Sequence, residues 1–162
     1  MRPSALFVAA MLLVPALGGA QEEYKGPRPP KPDIPYLVHA DNLIETEVQE
    51  ASETKKKDDY IYTIAGSTSP ARTPLAEPIF LLLSEKISPD SLELYRLEVK
   101  GGNRQVTISP NRKRSARPLR MSVTRLADKL YRLEVNEGLG LENGEYSLSP
   151  SGSNTVFCFQ VY

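Results

Sequence analysis

The chain of 162 residues contains one cysteine, one histidine and no tryptophan. A single cysteine, Cys158, excludes an internal disulfide, so the fold depends on its apolar core. His39 and Cys158 cannot complete a zinc site, and a histidine acting as an acid or base needs partners that no motif supplies. We expect Cys158 to be a buried thiol, with an intermolecular disulfide as the alternative, and His39 to be a partly exposed strand residue.

Charge of neither sign predominates: Lys and Arg number 20, Asp and Glu also number 20, and the net charge is 0. The total charge therefore indicates no partner. The sequence contains no Gly-x-Ser-x-Gly, no His-Glu-x-x-His and no phosphate-binding glycine loop. We predict no catalytic residue, no cofactor and no metal site, and hence a protein that is not an enzyme. A small hydrolase with a carboxylate pair that no motif marks is the alternative.

No hydrophobic run is long enough to span a membrane, and the longest run lies at the amino terminus. Residues 5–16 are apolar for about a dozen positions, whereas a membrane helix needs about 20. Arg2 supplies a positive charge before this run, and residues 17–20 end it with small side chains. This order is typical of a secretory signal peptide over 1–20. We therefore expect export to the periplasm or the extracellular medium, with no transmembrane segment after cleavage.

Composition divides the rest of the chain into three parts. Residues 21–35 contain five prolines, which predicts an extended Pro-rich linker that adds little to folding. Residues 36–59 are rich in charge and poor in apolar side chains. They predict a charged extension, with a strand over 37–48 and then a solvated loop; a short helix over 46–57 is the alternative. The acids there lack the spacing of a calcium-binding loop. Residues 60–162 form the predicted domain.

Short segments of alternating polarity recur through this domain, with no long helical period between them. The predicted strands lie at 60–64, 79–83, 92–99, 106–108, 119–124, 131–135, 146–148 and 155–161. Gly101 and Gly102 supply the positive φ angles of a hairpin turn between two of these strands. The pattern predicts an all-β protein built as an antiparallel β-sandwich.

One segment, 142–148, resembles the acid-x-Gly-x-Tyr-x-Cys pattern at the start of strand F in immunoglobulin domains. The resemblance implies that Gly144 takes a tight turn and that Tyr146 is the corner residue, whose hydroxyl bonds to backbone just upstream. Leu148 stands where the family has its second cysteine, and the chain has no tryptophan. The resemblance therefore implies a broader immunoglobulin-like or fibronectin-like sandwich over 60–162 and excludes an antibody-type domain. Such a sandwich carries many functions.

The strongest charge asymmetry lies in residues 100–132, where ten Lys or Arg accompany one acid, Asp128. Its densest part, 111–120, contains the candidate binding residues Arg112, Lys113, Arg114, Arg117 and Arg120. Pro110 precedes this part and Pro118 lies near its end, which predicts an exposed, mobile loop. Such a loop would hold an anionic polymer, lipid headgroups or an acidic protein surface. Nucleic acid is disfavoured because aromatic residues do not interleave with the charges. A purely solvating loop, or one covered by the acids of 41–59, is the alternative.

These features predict an exported, non-enzymatic binding or scaffolding protein whose working surface is the loop 111–120 or an exposed sheet edge. The first alternative is a subunit of a secreted or cell-envelope assembly, whose N-terminal extension adds a strand to a neighbouring molecule. The second alternative is the small hydrolase with an unmarked carboxylate site.

Overall fold

The computed structural model describes residues 23–136, 138 and 140–162, which form thirteen β-strands and one short 3-10 turn, with no α-helix among them. The predicted all-β, antiparallel fold is confirmed. The predicted signal peptide, residues 1–20, lies outside the described residues. The strands are β1 (Tyr36–His39), β2 (Asn42–Glu45), β3 (Glu47–Glu50), β4 (Ser52–Lys56), β5 (Asp59–Ile64), β6 (Arg72–Thr73), β7 (Ile79–Leu83), β8 (Leu92–Lys100), β9 (Asn103–Ile108), β10 (Met121–Ala127), β11 (Leu130–Val135), β12 (Gly144–Pro150) and β13 (Thr155–Val161).

One sheet has five strands in the order β10-β11-β7-β1-β2, and neighbouring strands are antiparallel. β7 lies at its centre because Ile79–Leu83 is a continuous apolar run, as a strand buried on both faces requires. Phe80 and Leu82 are fully buried, and Leu81 on the opposite face is 3% exposed. The predicted strand at this position is therefore confirmed.

The second sheet has eight strands and curls back on itself. Its order is β3-β13-β12-β8-β9-β5-β4, and β6 pairs in parallel with the end of β13. The strands at its two ends, β3 and β4, are consecutive in the chain and are separated by Ala51 alone. β3 pairs with β13 while β4 pairs with β5, so the single stretch 47–56 bonds to both ends of the sheet. Gly101 and Gly102 form the predicted hairpin turn, with φ angles of 59° and 77°.

The main core lies between the two sheets. The five-stranded sheet contributes Leu37, Phe80, Leu82 and Leu133, and the curled sheet contributes Leu94, Tyr146, Leu148, Phe157 and Phe159. The Phe80 and Phe159 rings meet edge to face with centroids 5.0 Å apart, and Tyr146 stacks on Phe159 at 5.5 Å. Such aromatic pairs stabilise a core beyond the burial of their area. With one cysteine the chain has no internal disulfide, so this apolar packing stabilises the fold.

A second, smaller core fills the inside of the curl. Side chains alternate along a strand, so the residues of β8 and β13 that turn away from the main core face this interior. Its buried members are Ala51, Ile64, Leu97, Val156 and Cys158, with Tyr62 and Val106 packed against them. Cys158 on this face and Phe157 and Phe159 on the other are all buried. The strand is therefore buried on both of its faces, and the prediction that Cys158 is buried is confirmed.

The structure of residues 36–59 differs from the prediction of one strand followed by a solvated loop. They form β1 to β4 and the beginning of β5, and they belong to both sheets. The single strand expected over 37–48 is instead a hairpin followed by β3, because the chain reverses at Ala40, whose φ is 53°. Residues 52–56 are a strand and neither loop nor helix. Their side chains are all exposed, so this strand is held by backbone hydrogen bonds to β5. A strand without buried side chains has no apolar alternation from which it could be predicted.

The described part of the Pro-rich segment is more than a linker, because residues 29–35 pack on the fold. Pro29 and Pro35 are buried. The Asp33 carboxylate accepts hydrogen bonds from the backbone N–H groups of residues 85–87 at 2.8 to 2.9 Å. Because of these contacts, we expect part of the segment to contribute to folding, unlike the linker that its composition predicts.

Candidate functional site

The predicted basic loop connects β9 in the curled sheet to β10 in the five-stranded sheet. It begins with a turn in which the N–H groups of Arg114 and Ser115 both donate to the Asn111 carbonyl oxygen. Leu119 holds its far end, because its N–H donates to the Leu94 carbonyl oxygen at 2.7 Å and its side chain packs against the main core. The candidate residues Arg112, Lys113, Arg114, Arg117 and Arg120 are all exposed.

The structure places a second basic segment beside this loop, namely the three lysines of residues 55–57. β5 pairs with both β4 and β9, so the tip of the β4–β5 hairpin lies next to the start of the loop. Asp59 contacts both Ser109 and Arg114, the latter with 3.7 Å between the charged atoms. Arg120 lies apart from these residues, since its carbonyl oxygen accepts a hydrogen bond at the end of the five-stranded sheet.

We call Lys55, Lys56, Lys57, Arg112, Lys113, Arg114 and Arg117 the basic end. Two acids, Asp58 and Asp59, lie within it. Arg114 is its one member with an ion pair in the described part of the chain, and that pair is to Asp59. The Lys55 ammonium lies 5.4 Å from the centroid of the Tyr60 ring. Among the acids of 41–59, Asp59 therefore partly covers the loop, and the other cations are left facing solvent.

A cavity of about 370 Å³ opens inside the curl at the same end of the sheet. Ile108, the last residue of β9 before the basic loop, lines its mouth. Its floor is apolar and includes Ile64, Val106 and Val156 of the second core. Its walls carry Glu53, Tyr62, Glu93, Tyr95 and the turn at 150–154. None of the described residues that line it is Lys, Arg or His, so the exposed Glu53 and the half-buried Glu93 give its lining a negative charge.

Tyrosine and glutamate side chains are paired on the cavity wall. The Tyr95 hydroxyl donates a hydrogen bond to Glu93 at 2.8 Å. Burial, followed by this hydrogen bond, raises the pKa of Tyr95, and burial followed by the Glu53 carboxylate raises the pKa of Tyr62. Both phenols therefore stay neutral at physiological pH. They can donate hydrogen bonds to the carboxylates, and both rings line the cavity.

The opposite end of the curl interior holds a buried arginine that the sequence analysis did not single out. Arg104, on β9, is 0% exposed. Its Nη1 and Nη2 atoms donate to the two carboxylate oxygens of Glu47 at 2.7 and 3.1 Å, and Nη1 lies 3.7 Å from Glu145. Its Nε and Nη2 atoms also donate to the carbonyl oxygens of Gly66 and Ala65. A buried guanidinium needs such partners, because an unpaired buried charge is strongly destabilising.

This cluster is structural, because its charged groups already satisfy one another. Burial raises the pKa of Glu47, but hydrogen bonds from Arg104, Gln49 and Ser69 outweigh burial and hold the pKa of Glu47 below its usual value. Glu145 accepts hydrogen bonds from the Thr68 hydroxyl and the Ser69 N–H. The sequence contains one signal of the burial of Arg104. Side chains alternate along β9, so Arg104 lies on the same inward face as Val106 and Ile108.

The residues predicted to form a corner lie at the start of β12. The Tyr146 hydroxyl donates a hydrogen bond to the Glu142 carbonyl oxygen at 2.8 Å, and the Tyr146 side chain is 1% exposed. Gly144 differs from the expectation of a tight turn, because it is already the first residue of β12, paired with Val161, and is not among the glycines with positive φ. The chain therefore turns before Gly144.

Cys158 and His39 occupy different environments. Cys158 is a buried free thiol whose pKa is raised to about 12 by burial, as predicted for a small apolar side chain. His39 is exposed at the end of β1, opposite Asn42. Within residues 23–136, 138 and 140–162, no three His, Cys, Asp or Glu side chains form a group that could hold a metal ion.

No protein-family model, no curated protein and no solved structure matches this chain. In the described part of the chain, no helix is long and apolar enough to cross a membrane. The function proposed below therefore rests on the geometry of the basic end and of the cavity.

Proposed function

We propose that this chain is an exported, non-enzymatic binding protein that holds an anionic surface through its basic end. The observation that supports this most is the meeting of two basic segments that are far apart in sequence. Asp59 and Ser109, which join them, are 50 residues apart. Seven cations and two acids thereby share one end of the curled sheet, and this concentrates positive charge in a chain whose net charge is 0.

The basic end is available for binding, because Arg114 is its one member in an ion pair among the described residues. Each Lys or Arg near an anionic lipid surface contributes about 1 kcal/mol, so several together support reversible attachment. Exposed cations on flexible side chains respond to charge density more than to ligand shape. The candidate partners are therefore an anionic polymer, lipid headgroups or an acidic protein surface. Nucleic acid is disfavoured because the Tyr60 ring at this end already faces Lys55.

Export is a separate part of the proposal and rests on the pattern of residues 1–20. A positive charge, an apolar run and small residues follow one another there in the order of a signal peptide. Cleavage after Ala20 would leave Gln21 as the first residue. Amino-terminal sequencing of protein recovered from the medium or the periplasm tests this, and an intact Met1 on that protein would contradict it.

For the fold, we propose a distant variant of the immunoglobulin-like sandwich. Two antiparallel sheets that enclose the main core and the hydrogen bond from Tyr146 to Glu142 support this assignment. The closing of the curled sheet by residues 47–56 departs from that arrangement. The assignment therefore names an architecture and no function.

Two other functions stay as alternatives with less support. Strand addition to a neighbour would need a free N-terminal extension, but residues 29–35 contact their own fold. A hydrolase would use the pair Glu53 and Glu93, which line one cavity. Binding at the basic end rests on more of the structure than either alternative does.

Binding to heparin and to phosphatidylglycerol vesicles tests the proposed function. We expect retention that falls steeply between roughly 0.05 and 0.5 M salt, because screening shortens the range of the charges. A variant with Lys56, Arg112, Lys113 and Arg117 all changed to Gln should lose it. A matched variant with Lys25, Lys86, Lys100 and Arg125 changed to Gln loses the same charge elsewhere and should keep it. Equal retention by the two variants would refute the proposal.

A further inference from the structure

The cavity inside the curl has the size and construction of a small-molecule site. Its volume of about 370 Å³ lies in the range of roughly 300 to 1,000 Å³ that such sites have. Its side chains come from six strands of one sheet, among them Glu53 on β4, Tyr62 on β5, Tyr95 on β8 and Val106 on β9. Groups held on paired strands keep their positions better than groups on loops. The strands of the curled sheet therefore hold most of the cavity lining in place.

The charge of the cavity favours a cationic group. Glu53 and Glu93 line it, and none of the described lining residues is basic. Glu93 accepts one hydrogen bond from Tyr95, whereas a carboxylate has about four acceptor positions. Among the described residues, neither Glu53 nor Glu93 forms an ion pair. A cation beside them therefore gains electrostatic attraction, which is stronger at the half-buried Glu93 than at the exposed Glu53.

The other lining groups favour an organic ammonium over a metal ion. No three His, Cys, Asp or Glu side chains of the described residues form a group that could hold a metal ion, and the floor here includes the apolar Ile64, Val106 and Val156. Tyr62 and Tyr95 line the cavity, and tyrosine rings attract alkylammonium groups by cation–π interaction. Carboxylates, aromatic rings and aliphatic side chains together match a positive charge that carries hydrocarbon.

The mouth of the cavity favours an anion attached to the same ligand. Lys55 lies two residues from Glu53 on β4, so the two side chains share a face of the strand and lie about 7 Å apart along it. The Lys55 ammonium is held near the Tyr60 ring, 5.4 Å from its centroid. The basic end would repel a ligand that carries positive charge alone. A nearby anionic group on the ligand turns this repulsion into attraction.

We propose that the cavity binds a small zwitterion, with its ammonium group between Glu53 and Glu93 and its anionic group at Lys55. Phosphocholine has this chemistry, either as the free compound or as the headgroup of phosphatidylcholine. The proposal rests on the proposed function through Lys55, which belongs to the basic end. The two carboxylates and the apolar floor are independent of the basic end.

Titration with three probes followed by calorimetry and by amide NMR shifts tests this proposal. Phosphocholine should bind and should shift the amides of Tyr62, Tyr95 and Val106. Choline should bind about fivefold more weakly, because it lacks the contact to Lys55. Glycerol 3-phosphate should leave the cavity amides unshifted. Phosphatidylcholine vesicles then separate the two sources: the protein binds either free phosphocholine or the vesicle headgroup, and binding to neither overturns the proposal.

Matched variants locate the site. Glu93→Gln should weaken phosphocholine and choline alike by about tenfold, whereas Glu98→Gln, an exposed position on the same strand and outside the cavity lining, should leave both unchanged. Lys55→Gln should remove the preference for phosphocholine over choline. Amide spectra of each variant show whether it is folded. Equal effects of Glu93→Gln and Glu98→Gln in folded protein would overturn the cavity assignment.

Failure of this proposal and failure of the proposed function give different results. If neither phosphocholine nor phosphatidylcholine vesicles bind but phosphatidylglycerol vesicles and heparin are retained, the cavity proposal is wrong and the basic end keeps its function. If phosphocholine binds in the cavity but anionic surfaces are not retained, the basic end serves the zwitterion alone.

Discussion

Arg104 and Glu47 form a two-point ion pair inside the curled sheet, with distances of 2.7 and 3.1 Å between the guanidinium nitrogens and the carboxylate oxygens. Arg104 belongs to β9 and Glu47 to β3, and 57 residues separate them in sequence. Glu47 is the first residue of the stretch that bonds to both ends of the sheet. The pair thus connects the closing stretch to the middle of the sheet, where solvent does not reach the guanidinium.

Replacing Arg104 with methionine should lower the free energy of unfolding by about 3 to 5 kcal/mol, because Glu47 and Glu145 are then left without their buried counter-ion. Arg96→Met is the matched control, since the pair of Arg96 with Glu142 is exposed and contributes about 1 kcal/mol or less. Urea denaturation measures both. A similar decrease in the free energy of unfolding for the two variants would show that the buried ion pairs stabilise the fold no more than the exposed one.

The stability of the protein should fall with acid partly through Glu47. Its pKa in the folded state is lowered, so Glu47 contributes stability above the pKa of the unfolded chain, about 4.3, and that contribution is lost as pH falls through the folded value. We expect the free energy of unfolding of Glu47→Gln to depend less on pH between pH 5 and 3 than that of wild type, by roughly the slope of one titrating group. Parallel curves would contradict this.

Asp33 should matter for folding although it lies in the Pro-rich segment. Asp33→Ala should cost about 2 kcal/mol, because three backbone N–H groups lose a charged acceptor. Alanine also tolerates poorly the φ of 59° at this position. Asp33→Asn keeps an acceptor and accepts positive φ, so it should cost less than the alanine variant. Thermal unfolding compares them, and no change in either variant would restore the view of this segment as a linker.

Tyr146→Phe should lower the free energy of unfolding by about 1 kcal/mol, the net value of one hydrogen bond, here the one to the Glu142 carbonyl oxygen. Tyr146→Leu should cost more, because stacking on Phe159 is lost as well. Tyr162→Phe, at an exposed ring, is the control. A phenylalanine variant as stable as wild type would count against the corner and against the immunoglobulin-like assignment.

Cys158 should react slowly with a thiol reagent in native buffer and rapidly in denaturant. The side chain is 0% exposed, and its pKa of about 12 leaves almost no thiolate at pH 8. Mass spectrometry of timed samples measures the labelling. Rapid labelling of the native protein, or a covalent dimer on a non-reducing gel, would make Cys158 an interface residue.

The sequence predicted those elements whose side chains repeat an apolar pattern. The strand at 79–83 and the hairpin around Gly101 appear in the structure at the predicted positions. Both depend on local chemistry: a run of apolar residues in the first case and the positive φ that glycine allows in the second. β4 was missed because its five side chains are all exposed, and it exists through backbone pairing with β5.

What the sequence determined by itself is the all-β class, the burial of Cys158 and the exposed basic loop, because each depends on polarity and spacing along a short stretch. The curl of the second sheet, the placing of residues 55–57 beside that loop and the acidic cavity beneath them depend on strand pairing between distant segments. Backbone hydrogen bonds carry such pairing, and backbone groups are the same in every residue except proline. The burial of Arg104 also depends on pairing between distant segments, because its partner Glu47 reaches it only when the sheet has closed.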